Sequence, residues 1–329
     1  MKNYVAIDIG ASTVEVASTG SGKGNSSHTP NNLVAAGSIV SYDAMAEHLT
    51  ETMKAGKVSG KDAAVLIPSS RISVRMLTMP AMKHEELLLN LPYEFREFVG
   101  NEEREYIYDY AVADTKYSEQ GKPVELTLLA AAVRKSVVKD YAEMLKAAGL
   151  KLKIAAPEEM GYINLVRNYI KENPEAKEQV FFFVDLGHSG TRIHVLLGDY
   201  YTFSRTIDIG GQDIEAVVSS HFNVDTYIAH EYKENNYQSC LELPGAQEIY
   251  DRIAVEVFRA VNFFQYSHPD ITVNNLYVCG GGKNLSQLMQ TISSQNAEIP
   301  IQDAKVLYPR ELKSTEDYLT PAALGVTLL

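Results

Sequence analysis

The sequence predicts an α/β protein of two similar halves, with a small α+β subdomain inserted in the first. Three observations carry this. "VAIDIGASTVEVA" near the start and "FFVDLGHSGTRIHVL" past the middle share one pattern: an apolar strand, an aspartate, an apolar residue, a glycine, a polar turn and a second strand. Repetition of a whole supersecondary unit points to internal duplication. Strand and helix patterns alternate in both halves, as α/β layers require. Residues 83–150 read as helix, strand, strand, helix, a unit of their own.

Composition sets the outer bounds. The 329 residues suit one large or two moderate domains, and an apolar content of 45% supports a sizeable core. The formal charge of −12 excludes a nonspecific nucleic-acid binder, which needs basic patches. It leaves room for a small anion gripped by backbone N–H groups. Two cysteines, Cys240 and Cys279, make neither a disulfide framework nor a metal framework, so a cytoplasmic chain is expected. No signal-peptide pattern opens the chain, and no run approaches the roughly 20 apolar residues of a membrane span. Direct membrane insertion is not expected.

Along the chain, "YVAIDIG" and "TVEVAST" read as strands joined by the turn "GAS". Residues 20–32, rich in Gly, Ser and Asn, read as a mobile loop; the glycines beside Lys23 lack phosphate-loop spacing. "SYDAMAEHLTETMKAG" is an amphipathic helix, and "DAAVLIPSS" and "RISVRMLTMP" are strands. "KHEELLLNLPYEFREFV" is a helix expected to break at Pro92, followed by strands "EYIYDYAVAD" and "VELTLLAAAV". "RKSVVKDYAEMLKAAG" is a helix closed by Gly149. "LKLKIAAPEE" leads into the helix "MGYINLVRNYIKEN", and "NPEAKEQ" is a polar connector taken as a boundary. The second half then runs strand, turn, strand, a helix opened by "GGQDIEAVV", further helices to about Tyr266, and "NNLYVCGGGKNLSQLMQTI" as strand, glycine triplet, helix. "TPAALGVTLL" closes the chain as a short helix or strand assigned to the second half.

The expected divisions are residues 1–82 with 151–179, the insert 83–150, residues 180–211 with 267–329, and a helical subdomain 212–266.

Each part of the repeated pattern suits a polyphosphate site. Gly10 and Gly187 let the backbone turn tightly against an anion. The N–H groups around Ala11 and His188 form an anion nest, and Ser12, Thr13, Ser189 and Thr191 offer hydroxyl donors. Asp8 and Asp185 suit a phosphate only with Mg2+ between, held through its waters. Two such turns facing each other would clasp a triphosphate. Gly280, Gly281 and Gly282, followed by Lys283, set bare backbone between a strand and a helix start, where a flat ligand can lie. Against this stands the plain reading of D-x-G as an ordinary turn.

With these residues in order, the sequence resembles the actin-like ATPase superfamily, and within it the FtsA/PilM branch. "AAVLIPSSRISVRMLTMP", "LLAAAVRKSVVKDYAEMLKAAGLKL", "RTIDIGGQDIEAVV" and "VFRAVNFFQYSHPDITVNNLYVCGGGKNL" carry the likeness to PilM-type proteins over nearly the whole chain. The resemblance implies an actin-like ATPase fold, ATP and Mg2+ as cofactors, and a scaffold role in type IV pilus assembly or a related secretion machine. It also implies a cytoplasmic peptide of a PilN-like membrane protein as partner, received at the insert. Such a partner would recruit the protein to the inner face of the membrane. The aromatics Tyr93, Phe95, Phe98, Tyr106 and Tyr108 lie in the region of that groove. Self-association is left open. The alternatives are an FtsA-like division scaffold and a small-molecule kinase of the same superfamily.

Two departures bear on turnover. Relatives that hydrolyse ATP place an acid or amide where this chain has Ala156 or Pro157; Glu158 and Glu159 follow just after, at a helix start that favours acids anyway. They are the only candidates for a catalytic role, so hydrolysis is expected to be slow or absent. Relatives also carry "A-E-x-x-K" on the adenosine side. Here "AHEYK" leaves Lys233 as the adenosine contact and puts His230, read as a surface histidine, in the place of the glutamate.

Overall fold

The computed structural model describes residues 3–328 except Ala36, Ala297 and Glu316. Its elements run β1 (Val5–Ile9), β2 (Thr13–Ser18), β3 (Gly24–His28), the short pair β4 (Val34–Ala35) and β5 (Ser38–Ile39), α1 (Tyr42–Ala55), β6 (Asp62–Leu66) and β7 (Ile72–Pro80). They continue with α2 (His84–Glu94), α3 (Arg96–Val99), β8 (Tyr106–Tyr117), β9 (Pro123–Arg134), α4 (Lys135–Ala147), β10 (Lys151–Ala156) and α5 (Glu158–Glu172). Then come β11 (Val180–Leu186), β12 (Thr191–Leu197), β13 (Tyr200–Ile207), α6 (Gly211–Phe222), α7 (Thr226–Glu234), α8 (Pro244–Ser267), β14 (Leu276–Cys279), α9 (Ser286–Gln295), β15 (Ile301–Asp303) and α10 (Pro321–Gly325).

The chain forms two units, residues 1–165 with 311–329, and residues 166–310. Each holds a five-stranded sheet, β3-β2-β1-β6-β10 in the first and β13-β12-β11-β14-β15 in the second. In both, three sequential strands pair antiparallel and two more add in parallel beside the strand that carries the aspartate. The duplication expected from the repeated motif is thus a duplication of topology. β11 reads apolar almost throughout because it is central and every residue in it is buried. Its neighbours pack with α6 and α8 into one core that includes Phe182, Val184, Ile193, Ile214, Tyr250 and Phe264. In the first unit, Val5, Ile7, Val14, Val16 and Val65 pack with Met45 and Leu49 of α1 and Val137, Tyr141 and Leu145 of α4.

Four sequence expectations are corrected. Residues 24–28 form the edge strand β3, paired with β2 from Thr13↔His28 to Ala17↔Gly24; an edge strand can be polar on both faces, so it carries no hydrophobic alternation. Pro92 does not end its helix: α2 continues to Glu94, and the chain turns at Phe95. The insert does not follow residues 83–150. β7 joins β8 and β9 in a three-stranded sheet under α2 and α3, while α4 belongs to the core of the first unit.

The fourth concerns the chain's end. Residues 311–329 lie in the first unit, not with the second half, and the unit boundary falls inside α5 rather than at the polar connector. Glycine-to-glycine packing explains this: a Cβ on Gly161 of α5 would overlap the Ala322 backbone, and one on Gly325 of α10 would overlap Gly161. Past the boundary, Arg167 and Tyr169 turn to Asp199 and Phe181 of the second unit.

Candidate functional site

The first hairpin, β1–β2, closes with the Gly10 amide donating to the Thr13 carbonyl at 2.8 Å. Thr29 straps the turn from outside. Its amide donates to the Ser12 carbonyl at 2.8 Å and its hydroxyl to the Gly10 carbonyl at 2.8 Å. The amides of Ala11 and Ser12 donate to no protein acceptor among the described residues. Asp8, half-buried at the end of β1, accepts the Thr320 hydroxyl at 2.6 Å. Thr320 caps α10, so the glycine crossing that docks α10 also delivers this donor. The cross-strand partner of Asp8 is Glu15, a second acid.

The second hairpin, β11–β12, repeats the turn: the Gly187 amide donates to the Gly190 carbonyl at 3.1 Å. Its strap is the start of α6. The Gly211 amide donates to the Gly187 carbonyl at 3.1 Å and the Gln212 amide to the His188 carbonyl at 2.9 Å. A Cβ on Gly210 would sit 2.6 Å from three backbone atoms of the turn, which is why paired glycines open this helix. The amides of His188 and Ser189 donate to no protein acceptor among the described residues. Both turns therefore present two adjacent amides, the donor set of an anion nest. Thr191 does not join them: it is fully buried and its hydroxyl donates to the Ile209 carbonyl at 3.0 Å.

Asp185 differs from Asp8 in its partner. It pairs in register with Arg192, whose guanidinium donates to it at 2.7 Å. Its other oxygen lies against Gly280, where a Cβ would come within 2.5 Å of it. Mg2+ requires near-octahedral oxygen ligands and keeps several waters. The carboxylate of Asp185, one oxygen on a guanidinium and the other against backbone, does not fit that ion. Asp8 has an acid, Glu15, opposite it instead of a guanidinium.

Sequence reading missed the residue that organises the adenosine side. Glu215 of α6 is buried and accepts from Lys233 Nζ at 2.6 Å, from His230 Nδ1 at 2.7 Å and from His188 Nε2 at 3.0 Å. Burial pushes its carboxyl up, but the His188 hydrogen bond, the Lys233 charge and hydrogen bond, and the His230 hydrogen bond outweigh it and bring it down to about 2. His230 is therefore an inward-facing partner rather than a surface histidine, and Lys233, the expected adenosine contact, is a buried ion-pair member. Ligand atoms of His188, Glu215 and His230 lie within 4.8 Å of one another, the spacing of a metal triad. The ammonium on the same carboxylate makes the cluster an ion-paired network instead, because it supplies the positive charge a cation would bring. The network ties the second turn to α6 and α7.

In the glycine triplet, Gly280 has φ +79° and packs on Leu186 and Asp185, so it must be glycine. A Cβ on Gly281 would meet nothing within 4 Å; this is the bare backbone a flat ligand needs. Gly282 packs on Leu186, and Lys283 is ion-paired to Asp303 at 2.6 Å. Glu158 and Glu159 are buried in the first turn of α5, in the first unit. On the insert, Phe95 and Tyr106 are core and Tyr108 packs against them, whereas Leu89 and Tyr93 of α2 are 72% and 67% exposed and Phe98 of α3 is largely exposed. No helix among the described residues is long and apolar enough to cross a membrane.

The sequence profile of the family described as type IV pilus assembly protein PilM matches residues 6–310. A solved chain of a PilM-PilN type IV pilus biogenesis complex is similar over 99% of this chain and 97% of that chain, with TM-score 0.80 and 20% identity. Ethanolamine utilization protein EutJ from Carboxydothermus hydrogenoformans is similar over 99% and 90%, with TM-score 0.57 and 13% identity. No functionally curated protein sequence matches. At such identities the likeness establishes the fold, which is the actin-like ATPase fold of two duplicated α/β sheets. A profile match that runs through both hairpins, the insert and the glycine triplet places the chain in the PilM family of type IV pilus assembly proteins.

Proposed function

We propose that the protein is a cytoplasmic, nucleotide-binding scaffold of the type IV pilus machinery. It binds ATP through the turns of both hairpins and through Gly281, and turns it over slowly or not at all. The observation that carries this reading is the pair of unpartnered amides at the same place in each turn, Ala11 and Ser12 in one and His188 and Ser189 in the other. Such N–H pairs favour phosphate oxygens. Slow turnover is supported by Ala156 and Pro157, which stand where relatives carry a water-positioning acid or amide, and by the burial of Glu158 and Glu159. The partner is the cytoplasmic peptide of a PilN-like membrane protein, received by the insert, where Leu89 and Tyr93 offer an exposed apolar edge. It would hold this protein at the inner face of the membrane.

Thermal melting with ATP tests the ligand. Saturating Mg-ATP at about 100 times Kd stabilises a folded protein by about 2.7 kcal/mol, a readily measured shift. Gly281→Asp, at an open position, folds normally and loses that shift by setting a carboxylate and its charge in the ligand's place. Wild-type protein that melts identically with and without nucleotide would remove the reading.

A further inference from the structure

We propose that His188 is a positioning residue: its imidazole, pinned on Glu215, presets the second turn so that the His188 and Ser189 amides face a phosphate. The inference rests on the ATP reading above and concerns the second unit alone. It begins with the peptide planes. In a trans peptide the C=O and the N–H point opposite ways. The His188 amide therefore opposes the Gly187 carbonyl, and the Ser189 amide opposes the His188 carbonyl. Helix α6 holds both carbonyls, through the Gly211 amide at 3.1 Å and the Gln212 amide at 2.9 Å. The two turn amides are thereby aimed away from the helix. The Gln212 side chain adds a longer bond, 3.4 Å, to the Ser189 carbonyl.

The two planes meet at one atom, the His188 Cα, and the side chain on that atom is held as well. Its Nε2 donates to Glu215 Oε2 at 3.0 Å. Glu215 follows Gln212 by one turn of α6, so the same face of the helix grips both the main chain and the side chain of His188. The anchor is itself fixed: its other oxygen takes His230 and Lys233, and its side chain is 7% exposed. A carboxyl held at about 2 is ionised at neutral pH and can only accept, which puts the His188 proton on Nε2. With the rotations about that Cα locked before a ligand arrives, the turn loses less conformational freedom on binding. An unpinned turn would have to order both planes at that moment.

The experiment compares the full chain as wild type, His188→Ala and His188→Gln. Alanine keeps the amide and removes the pin; glutamine restores a neutral N–H donor near the place of Nε2. Glu215 keeps His230 and Lys233 in both variants, and melting without nucleotide checks that both fold. Calorimetry gives the Kd of Mg-ATP. His188→Ala raises it by about tenfold, and His188→Gln recovers most of the loss. Backbone amide NMR relaxation without nucleotide gives a second readout. The order parameter of the Ser189 amide, about 0.85 in wild type, falls toward about 0.6 in His188→Ala and returns in His188→Gln. His188→Ala that binds Mg-ATP as wild type does overturns the inference, and so does a Ser189 order parameter equal in all three. His188→Gln that binds as weakly as His188→Ala overturns it too, because the imidazole would then act on the ligand and not on the turn. Wild type that does not bind Mg-ATP overturns the ATP reading instead, and relaxation alone then decides whether the pin orders the turn.

Discussion

The two aspartate-tipped hairpins agree in backbone and disagree in charge. Each ends its first strand in an acid, closes its turn with a glycine amide on the carbonyl three residues on, and leaves two amides outward. One acid faces Glu15 and takes a threonine hydroxyl from α10; the other faces Arg192 and is walled by Gly280. The straps differ too, a loop threonine in the first and the opening of a helix in the second. Duplication has kept what the backbone needs for an anion nest and let the neutralising group diverge. A main-chain nest needs only the turn, whereas its countercharge can come from any side chain in reach.

The largest test breaks the wall behind Asp185. Gly280→Ala needs a left-handed φ of +79° and puts a methyl 2.5 Å from the Asp185 carboxylate and 2.6 Å from the Leu186 carbonyl. Left-handed strain of about 1–2 kcal/mol adds to overpacking of about 1–3, so a loss near 3 kcal/mol is expected in urea unfolding. Gly281→Ala, one residue on and facing open space, should stay within about 1 kcal/mol of wild type. Equal losses in the two variants would show that the triplet is a generic tight turn and that Gly280 does not define the Asp185 pocket.

The comparison also explains what could be read from sequence. The repeated D-x-G pattern, the glycine triplet and the alternation of strands and helices are local, and they fixed the duplicated sheets and the position of both turns. Arg192 was readable as well: it follows Asp185 by the same interval as Glu15 follows Asp8, and a hairpin register makes those pairs neighbours. Glu215, Thr320 and the α5–α10 crossing were not. Each depends on contacts between distant segments, Asp8 to Thr320 above all, and nothing local in "LTPAALG" announces the acid it meets. The same limit misplaced Thr191 and Lys233, whose polar groups look available in sequence and are buried against partners from other elements. β3 escaped detection because an edge strand of Gly, Asn, Ser and His has no apolar face to betray it.

A second test uses acid to separate the halves. β12 carries His194, two residues beyond Arg192, buried with Nδ1 2.7 Å from the Tyr201 hydroxyl. Burial first, and then the Arg192 charge, hold its imidazole down to about 3. The unfolded imidazole takes its proton near pH 6.5, so below that pH the unfolded chain binds the extra proton and the fold loses stability. The contribution is complete above about pH 6.5 and drains as pH falls toward 3, by up to about 1.4 kcal/mol per pH unit. The matching residue of the first hairpin is Ala17, which titrates nothing. Between pH 7 and 5, wild type should lose about 2 kcal/mol, and His194→Asn should flatten most of that slope. The Glu215 carboxyl, held at about 2, adds its own loss only below about pH 4.5, outside this window. An unchanged slope in His194→Asn would place the acid sensitivity elsewhere.

The smallest expected effect sharpens the contrast most. Like charges directly opposite on an antiparallel pair destabilise it by roughly 0.2–1 kcal/mol. Glu15→Gln takes one charge out of this in-register acid pair and should raise stability in urea unfolding by about 0.5 kcal/mol in the absence of metal and nucleotide. Added Mg2+ should shrink that gain, because the ion offsets the same repulsion in wild type. The converse outcome is informative: Glu15→Gln that costs more than about 1 kcal/mol would mean the carboxylate is already neutralised by a group of the fold. The first hairpin would then carry a built-in countercharge as the second does, and the contrast in charge between the two hairpins would not stand.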